Sequence, residues 1–134
     1  MSCSEKIRIL VVEDNQIAQK VARIVLRSLE CEVDITEDGF KALSFFGENH
    51  YDLIFMDLGL PGKDGYCVAA EIREMEAKFS LSPIPIIGLS VHTGELSRVK
   101  ALKAGMNDYV IKPLTLENCR KVLKQFAAAE FFAE

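Results

Sequence analysis

Long apolar segments are missing from this sequence of 134 residues. No apolar run approaches the roughly 18 residues that a membrane-spanning helix needs. Residues 1–6, which precede the first strand-like run, lack the apolar centre of a secretory signal. We therefore expect a cytoplasmic chain that makes no membrane contact of its own.

Paired cysteines and phosphate-binding glycine loops are also missing. Cys3, Cys31, Cys67 and Cys119 are widely scattered, with no C-x-x-C pair to favour a zinc site. We expect reduced thiols, most of them small core residues. The sequence contains neither a G-x-G-x-x-G nor a Walker A segment, which argues against a nucleotide-binding loop.

The chain has no excess of basic residues, since 16 Lys and Arg face 20 Asp and Glu, for a formal charge of −4. This mild acidity argues against nucleic-acid binding. An apolar fraction of 49% and a charged fraction of 27% are ordinary for a globular protein. The length fits one domain that can bury a core without disulfides.

Short apolar runs alternate with amphipathic stretches along the whole chain. The runs lie at 7–12, 53–56, 84–89 and 109–111, and a weaker, more alternating run lies at 31–35. Strands that are apolar without alternation are buried on both faces, as in a parallel sheet covered by helices. Five strand–helix units therefore predict an α/β fold with helices on both sides of the sheet.

Helical periodicity and capping residues mark the segments between the strands. One apolar stripe consists of Ile17, Val21, Ile24, Val25 and Leu29, and another of Leu116, Cys119, Val122, Leu123 and Phe126. A shorter helix carries Leu96, Val99 and Leu102 and is followed by Gly105, at a position suited to a left-handed cap. The predicted helix N-caps are Asn15, Asp38, Asp64, Thr93 and Thr115.

Chemically active side chains follow four of the predicted strands. Glu13 and Asp14 follow the first, Asp57 the third, Ser90 the fourth, and Lys112 ends the fifth. The carboxyl ends of parallel strands meet at one edge of the sheet, so these groups should converge. At about 5 Å and an effective dielectric near 20, each carboxylate pair repels by roughly 3 kcal/mol.

That repulsion favours a compensating cation over three solvated loop acids. An all-oxygen ligand set suits Mg²⁺ or a similar hard ion. Flavin mononucleotide binding is the competing use of such a layout. Its phosphate would need a Ser-, Thr- or Gly-rich loop after the first strand, where Glu13 and Asp14 would repel it.

Four segments carry a resemblance to a known family. They are 11–15 (Val-Val-Glu-Asp-Asn), 56–65 (Met-Asp-Leu-Gly-Leu-Pro-Gly-Lys-Asp-Gly), 87–90 (Ile-Gly-Leu-Ser) and 104–114, which contains Tyr109 and Lys112-Pro113. In order and spacing they resemble the motifs of two-component response-regulator receiver domains. The segment 104–109 and Lys112-Pro113-Leu114 are similar to receivers of hybrid sensor histidine kinases.

The resemblance implies a flavodoxin-like (βα)₅ three-layer sandwich with strand order 2-1-3-4-5. It covers residues 6–126 as the receiver domain. Residues 127–134 then form the end of the last helix or a frayed tail.

The resemblance also implies a function, a phosphoacceptor in a His–Asp phosphorelay. Asp57 would take a phosphoryl group from a phosphohistidine. Asp14, Asp57 and the Gly59 carbonyl would bind Mg²⁺ directly, with Glu13 acting largely through water. Such a receiver catalyses its own phosphorylation and dephosphorylation but turns over no separate substrate, so its standing as an enzyme is left open.

Further residues would hold the phosphoryl group and respond to it. By resemblance, Lys112 and Ser90 would contact phosphoryl oxygens, and Tyr109 would turn inward when Ser90 moves, which switches a protein-interaction surface. Val91 departs from the family, where a small residue, commonly Ala, is usual. Val91 and His92 would then gate the pocket.

The implied partners are a histidine kinase or a histidine phosphotransfer protein, together with a phosphorylation-dependent homodimer. The rival interpretation is a degenerate receiver that only docks a partner. Intact Asp57, Ser90 and Lys112 argue against that rival. A small-molecule phosphatase is a third alternative.

Overall fold

The computed structural model describes residues 6–60, 63–91 and 95–127. Within these ranges five strands alternate with five helices. They are β1 (Arg8–Val12), α1 (Gln16–Ser28), β2 (Glu32–Thr36), α2 (Gly39–Glu48), β3 (Leu53–Asp57), α3 (Gly65–Lys78), β4 (Ile86–Ser90), α4 (Glu95–Lys103), β5 (Asp108–Ile111) and α5 (Leu116–Phe126).

The strands form one parallel sheet in the order β2-β1-β3-β4-β5, which confirms the predicted topology. β3 and β4 are buried along their whole length, and β1 is buried after Arg8. This explains their unbroken apolar runs, since helices cover both faces. The edge strands β2 and β5 are only partly buried.

Two apolar cores lie on opposite faces of the sheet. Alternate residues of β1 and β3 point to different sides, so Leu10 and Ile54 join one core while Ile9 and Phe55 join the other. α2, α3 and α4 cover the first core, and α1 and α5 cover the second. The three-layer arrangement predicted from the resemblance is therefore confirmed.

Local capping chemistry fixes where the helices begin. Asn15, Asp38 and Asp64 each accept backbone N–H bonds at the start of α1, α2 and α3. Thr115 forms a capping box with Asn118 at the start of α5. Gly105 has φ +99°, as predicted for a left-handed cap after α4. The fifth predicted cap, Thr93, and the gating residue His92 lie outside the described residues.

Periodicity identified α1 correctly but only part of the face that it buries, since Val25 and Leu29 of the predicted stripe pack against the second core. The buried residues of α1 are Ala22 and Leu26, whereas Ile17 and Ile24 of the predicted stripe are 74% and 68% exposed. Ala22 and Leu26 each follow a residue of the predicted stripe, so the buried face is turned toward them and away from these two isoleucines. Among the described cysteines, Cys31 and Cys119 are buried and Cys67 is exposed.

Candidate functional site

A cleft of about 660 Å³ opens at the carboxyl ends of the central strands. Glu13, Asp14, Asp57, Ser90 and Lys112 all line it. The predicted convergence of these five residues is therefore observed. Gly59 and Val91 line the same cleft, so most of the residues named from the sequence share one site.

Three carboxylates meet inside this cleft. Glu13, Asp14 and Asp57 each place one oxygen within 4.8 Å of the others. Glu13 is 1% exposed and Asp57 is 5% exposed, whereas Asp14 is open to solvent. Since like charges at this separation repel, the arrangement depends on positive charge nearby.

Local hydrogen bonds hold the Glu13 end of the site. The Glu13 N–H donates to the Thr36 carbonyl at 2.9 Å, which continues the β1–β2 pairing beyond β1. The Asn15 N–H donates to Glu13 Oε2 at 3.0 Å, and Gln19 Nε2 donates to the Glu13 carbonyl at 2.6 Å. Asn15 therefore both orients the Glu13 carboxylate and caps α1.

Lys112 supplies the compensating charge. Its Nζ lies 2.8 Å from Glu13 Oε1 and 3.3 Å from Asp57 Oδ2. The Lys112 N–H donates to the Ser90 carbonyl at 2.8 Å, and the following Lys112–Pro113 peptide is cis. Burial alone would lower the pKa of Lys112, but its contacts with Glu13 and Asp57 outweigh burial and raise that pKa. The ammonium therefore stays charged.

One ammonium does not neutralise three carboxylates. Burial raises the pKa of Glu13, although the Lys112 ammonium and the Asn15 N–H oppose the rise. Glu13 Oε1 is buried and pairs with the Lys112 ammonium at 2.8 Å, and Asp57 shares that ammonium at 3.3 Å. The site therefore retains uncompensated negative charge that a hard cation would satisfy.

Asp57 is fixed by the turn that follows β3 and by the start of α3. Its Oδ1 accepts the Gly59 N–H at 3.0 Å. A Cβ on Gly65 would lie 2.2 Å from the Asp57 carbonyl oxygen, so only glycine allows α3 to begin so close to the end of β3. The sequence marked Asp64-Gly65 as a helix start, but it gave no sign of this contact with Asp57.

The residues expected to respond to phosphorylation, Ser90 and Tyr109, and the expected gating residue Val91 lie in or directly after β4 and β5. Ser90 is 5% exposed, and Val91 is 67% exposed at the rim of the cleft. Tyr109 pairs in register with Gly88 on β4 and is half-buried, but it does not line the cleft.

Sequence reasoning missed Tyr66, which also lines the cleft. It lies in the first turn of α3, and Lys100 Nζ of α4 lies 5.9 Å from the centroid of its ring. The signal was its place directly after Asp64-Gly65, because the first turn of a helix that follows a strand lies at the carboxyl edge of the sheet.

No helix within the described ranges is both long enough and apolar enough to cross a membrane.

Comparison with known proteins places the chain in one family. Residues 9–124 match the profile of the response regulator receiver domain. Hybrid signal transduction histidine kinase L of Dictyostelium discoideum is 34% identical over 122 residues, which is 89% of this chain and 7% of the kinase. The chain thus spans a small part of that relative.

Solved structures agree with this match. The Saccharomyces cerevisiae Ssk1 receiver domain, crystallised with the histidine phosphotransfer protein Ypd1, superposes with a TM-score of 0.87 at 31% identity, covering 93% of this chain and 91% of that one. The receiver domain of the Pseudomonas aeruginosa sensor histidine kinase PA1611, with a magnesium ion in its active site cleft, gives 0.81 at 37% identity, covering 91% and 98%. The chain therefore belongs to the response regulator receiver domain family.

Proposed function

We propose that this domain accepts a phosphoryl group from a phosphohistidine onto Asp57, as a step in a His–Asp phosphorelay. The observation that carries the proposal is the setting of Asp57. It is a buried carboxylate at the end of the central strand that lies in an open cleft, 3.3 Å from the Lys112 ammonium. A carboxylate held in this way is suited to nucleophilic attack on phosphorus.

The transfer exchanges one bond to phosphorus for another. An Asp57 oxygen forms a P–O bond while the P–N bond to the donor imidazole breaks, and the imidazole nitrogen then takes a proton from solvent. Positioning and charge neutralisation are the main demands of phosphoryl transfer. In the proposal, Lys112 and Ser90 meet these demands by contacting phosphoryl oxygens.

The residues present fit a magnesium ion. Carboxylate oxygens are ligands that Mg²⁺ prefers, and oxygens of three carboxylates meet here within 4.8 Å of one another while Lys112 pairs with only two of those carboxylates. Asp14, Asp57 and the Gly59 carbonyl would hold the ion, with Glu13 beside them. A bound Mg²⁺ offsets the negative charge of the phosphoryl oxygens.

Ser90 and Tyr109 are the residues proposed to respond to the phosphoryl group. The new phosphoryl group adds negative charge and acceptor oxygens that a hydroxyl can approach. Tyr109 lies on the edge strand β5, next to β4, where a change at Ser90 can alter its packing. An altered surface for protein partners is the expected output.

α1 supports docking of the phosphohistidine partner. The helix begins at the cleft, where Asn15 and Gln16 line the wall, and it exposes Ile17 and Ile24. Its sequence contains no acidic residue, and its basic residues are Lys20, Arg23 and Arg27. In a chain of net charge −4, such a face favours an apolar partner surface with acidic residues around it. The proposed partner is a histidine phosphotransfer protein, such as the one bound to the Ssk1 receiver, or a histidine kinase.

The test uses matched exchanges of a carboxylate for an amide. Asp57→Asn should abolish the mass gain of one phosphoryl group that a phosphorylated histidine phosphotransfer protein or acetyl phosphate produces, because the nucleophile is gone. Glu37→Gln, an exposed exchange outside the cleft, should leave labelling unchanged. Normal labelling of folded Asp57→Asn would refute the assignment. A chain that docks the phosphotransfer protein but is never labelled would be the degenerate receiver.

A further inference from the structure

Tyr66 forms the α3 side of the cleft that holds Asp57. Its ring is half-buried and packs against the core under α2, α3 and α4. Tyr66 lines the cleft together with Val91, which lies at the rim of the cleft beyond β4.

The backbone of Tyr66 is held next to the acceptor. The preceding Gly65 lies against the Asp57 carbonyl so closely that a Cβ there would meet that oxygen at 2.2 Å. The Asp64 side chain accepts the Cys67 N–H at 2.9 Å and fixes the first turn of α3. The Tyr66 Cα therefore cannot move away from the end of β3 unless α3 also moves.

The Tyr66 ring also contacts a different helix. Lys100 of α4 places its ammonium 5.9 Å from the ring centroid, within the range of a cation–π contact. Burial, with a smaller contribution from Asp64, raises the pKa of the Tyr66 phenol, so the ring stays neutral. Lys100 itself is exposed, so this contact is weak and can open.

We propose that Tyr66, which lines the cleft and contacts Lys100, limits the access of water to Asp57 and thereby sets the lifetime of the aspartyl phosphate. This inference rests on the proposed function. In the reaction that ends the phosphorylated state, a water oxygen attacks phosphorus, the P–O bond to Asp57 breaks, and the water proton passes to the released phosphate. An in-line attack needs room for water in the cleft beside the carboxylate, and Tyr66 is one of the residues that line this cleft.

Two substitutions separate the ring from its hydroxyl group. Tyr66→Leu should raise the rate of phosphate loss about fivefold or more, because the flat ring and its cation–π contact are both removed. Tyr66→Phe keeps the ring and should keep the rate of the parent chain. Rates are measured by intact mass after the phosphodonor is removed.

Lys100 tests the contact between the helices. Lys100→Met keeps a long apolar side chain but removes the charge. It should raise the rate of phosphate loss about two- to fivefold, which corresponds to the free energy of one exposed cation–π contact. In a Tyr66→Leu background the same change should have no effect, because the two residues act as a unit. Lys78→Met is the matched control: Lys78 Nζ lies 5.6 Å from the Phe79 ring at the opposite end of α3, and the rate should not change.

A second measurement makes the inference independent of phosphorylation. Coupling of a small amine to the Asp57 carboxyl by a water-soluble carbodiimide, mapped by mass spectrometry, should be faster in Tyr66→Leu and Lys100→Met than in Lys78→Met. If Asp57 of the parent chain is never phosphorylated, the proposed function fails, and the carbodiimide rates still decide the role of Tyr66. Equal carbodiimide rates in all variants, at equal thermal stability, would overturn the inference, as would equal rates of phosphate loss.

Discussion

Val91 lines the cleft and is 67% exposed there. Its two methyl groups branch at Cβ and cannot easily rotate aside. We expect the Val91→Ala variant to lose its aspartyl phosphate at least about three times faster than the parent chain. Small changes in the geometry with which water approaches can alter the rate by up to about a hundredfold.

The control for Val91 is Val99→Ala, the same exchange at an exposed position of α4 away from the cleft. It should leave the lifetime unchanged. If Val91→Ala and the parent chain lose phosphate equally fast, with equal thermal stability, Val91 does not gate the pocket and merely covers the rim.

Tyr51 gives a prediction about alkaline stability. It is 5% exposed, and its hydroxyl donates to Asp34 Oδ2 at 2.7 Å. Burial, and then Asp34, raise the pKa of this phenol well above its ordinary value of 10. The folded chain therefore holds the proton that the unfolded chain releases. The resulting stability is present below pH 10 and is lost as the pH rises toward the folded pKa.

Tyr51→Phe removes this titration. Urea unfolding should show the parent chain more stable than Tyr51→Phe near neutral pH, by about 1 kcal/mol for the lost hydrogen bond. The difference should shrink as the pH rises above about 10. A difference that stays constant or grows across this range would contradict the assignment.

At the scale of elements, one polar cluster ties α3 to β4 and β5. Glu76 of α3 is 4% exposed and accepts two bonds from Arg73 and one from the Ile84 N–H at 2.6 Å. Arg73 donates onward to the Gly105 carbonyl and to Asn107 Oδ1, and that same oxygen accepts the Ile86 N–H. These bonds fix where β4 and β5 begin, and thus the register of the strands that carry Ser90 and Lys112.

Removing the Glu76 carboxylate should therefore destabilise the whole sheet. We expect Glu76→Ala to lower the free energy of unfolding by about 2 to 3 kcal/mol, because the buried Ile84 N–H and the Arg73 guanidinium lose their partner. Glu74→Ala, an exposed exchange on the same helix, should change it by less than about 0.5 kcal/mol. An equal loss of unfolding free energy in the two variants would show that the polar cluster does not stabilise the sheet.

The elements differ in how far the sequence predicts them. The buried runs of β1, β3 and β4 are predictable because burial on both faces requires unbroken apolar residues. The buried face of α1 was only partly predictable, because Val25 and Leu29 pack against the core as expected while Ala22 is buried and the larger Ile17 is exposed. The turn after α3 was also not predictable, since Ser80 adopts φ +55°, where glycine is favoured.

The residues of the site also differ in how far the sequence predicts their positions. Glu13, Asp14, Asp57 and Lys112 could be brought together from the sequence, since the carboxyl ends of parallel strands meet at one edge. The contact of Tyr66 with Lys100 could not be predicted. The two residues are 34 positions apart and lie on different helices, whose packing no sequence periodicity specifies.

At the scale of the whole molecule, the fold concentrates like charges in the site. The sheet brings Glu13, Asp14 and Asp57 together, and only Lys112 opposes them among the described residues that line the cleft. A bound cation should therefore stabilise the entire domain, since the carboxylates separate when the chain unfolds. At a Mg²⁺ concentration one hundred times its dissociation constant, the expected gain is about 2.7 kcal/mol.

Asp14→Ala tests this link between site and stability. The variant should lose most of the Mg²⁺-dependent rise in the thermal midpoint, because one ligand is gone. It should be at least as stable as the parent chain without metal, because one source of repulsion is gone as well. Glu37→Ala removes an equal charge outside the cleft and should keep the full Mg²⁺ response. The same rise in Asp14→Ala as in the parent chain would mean that Mg²⁺ stabilises the domain from somewhere other than the acidic cleft.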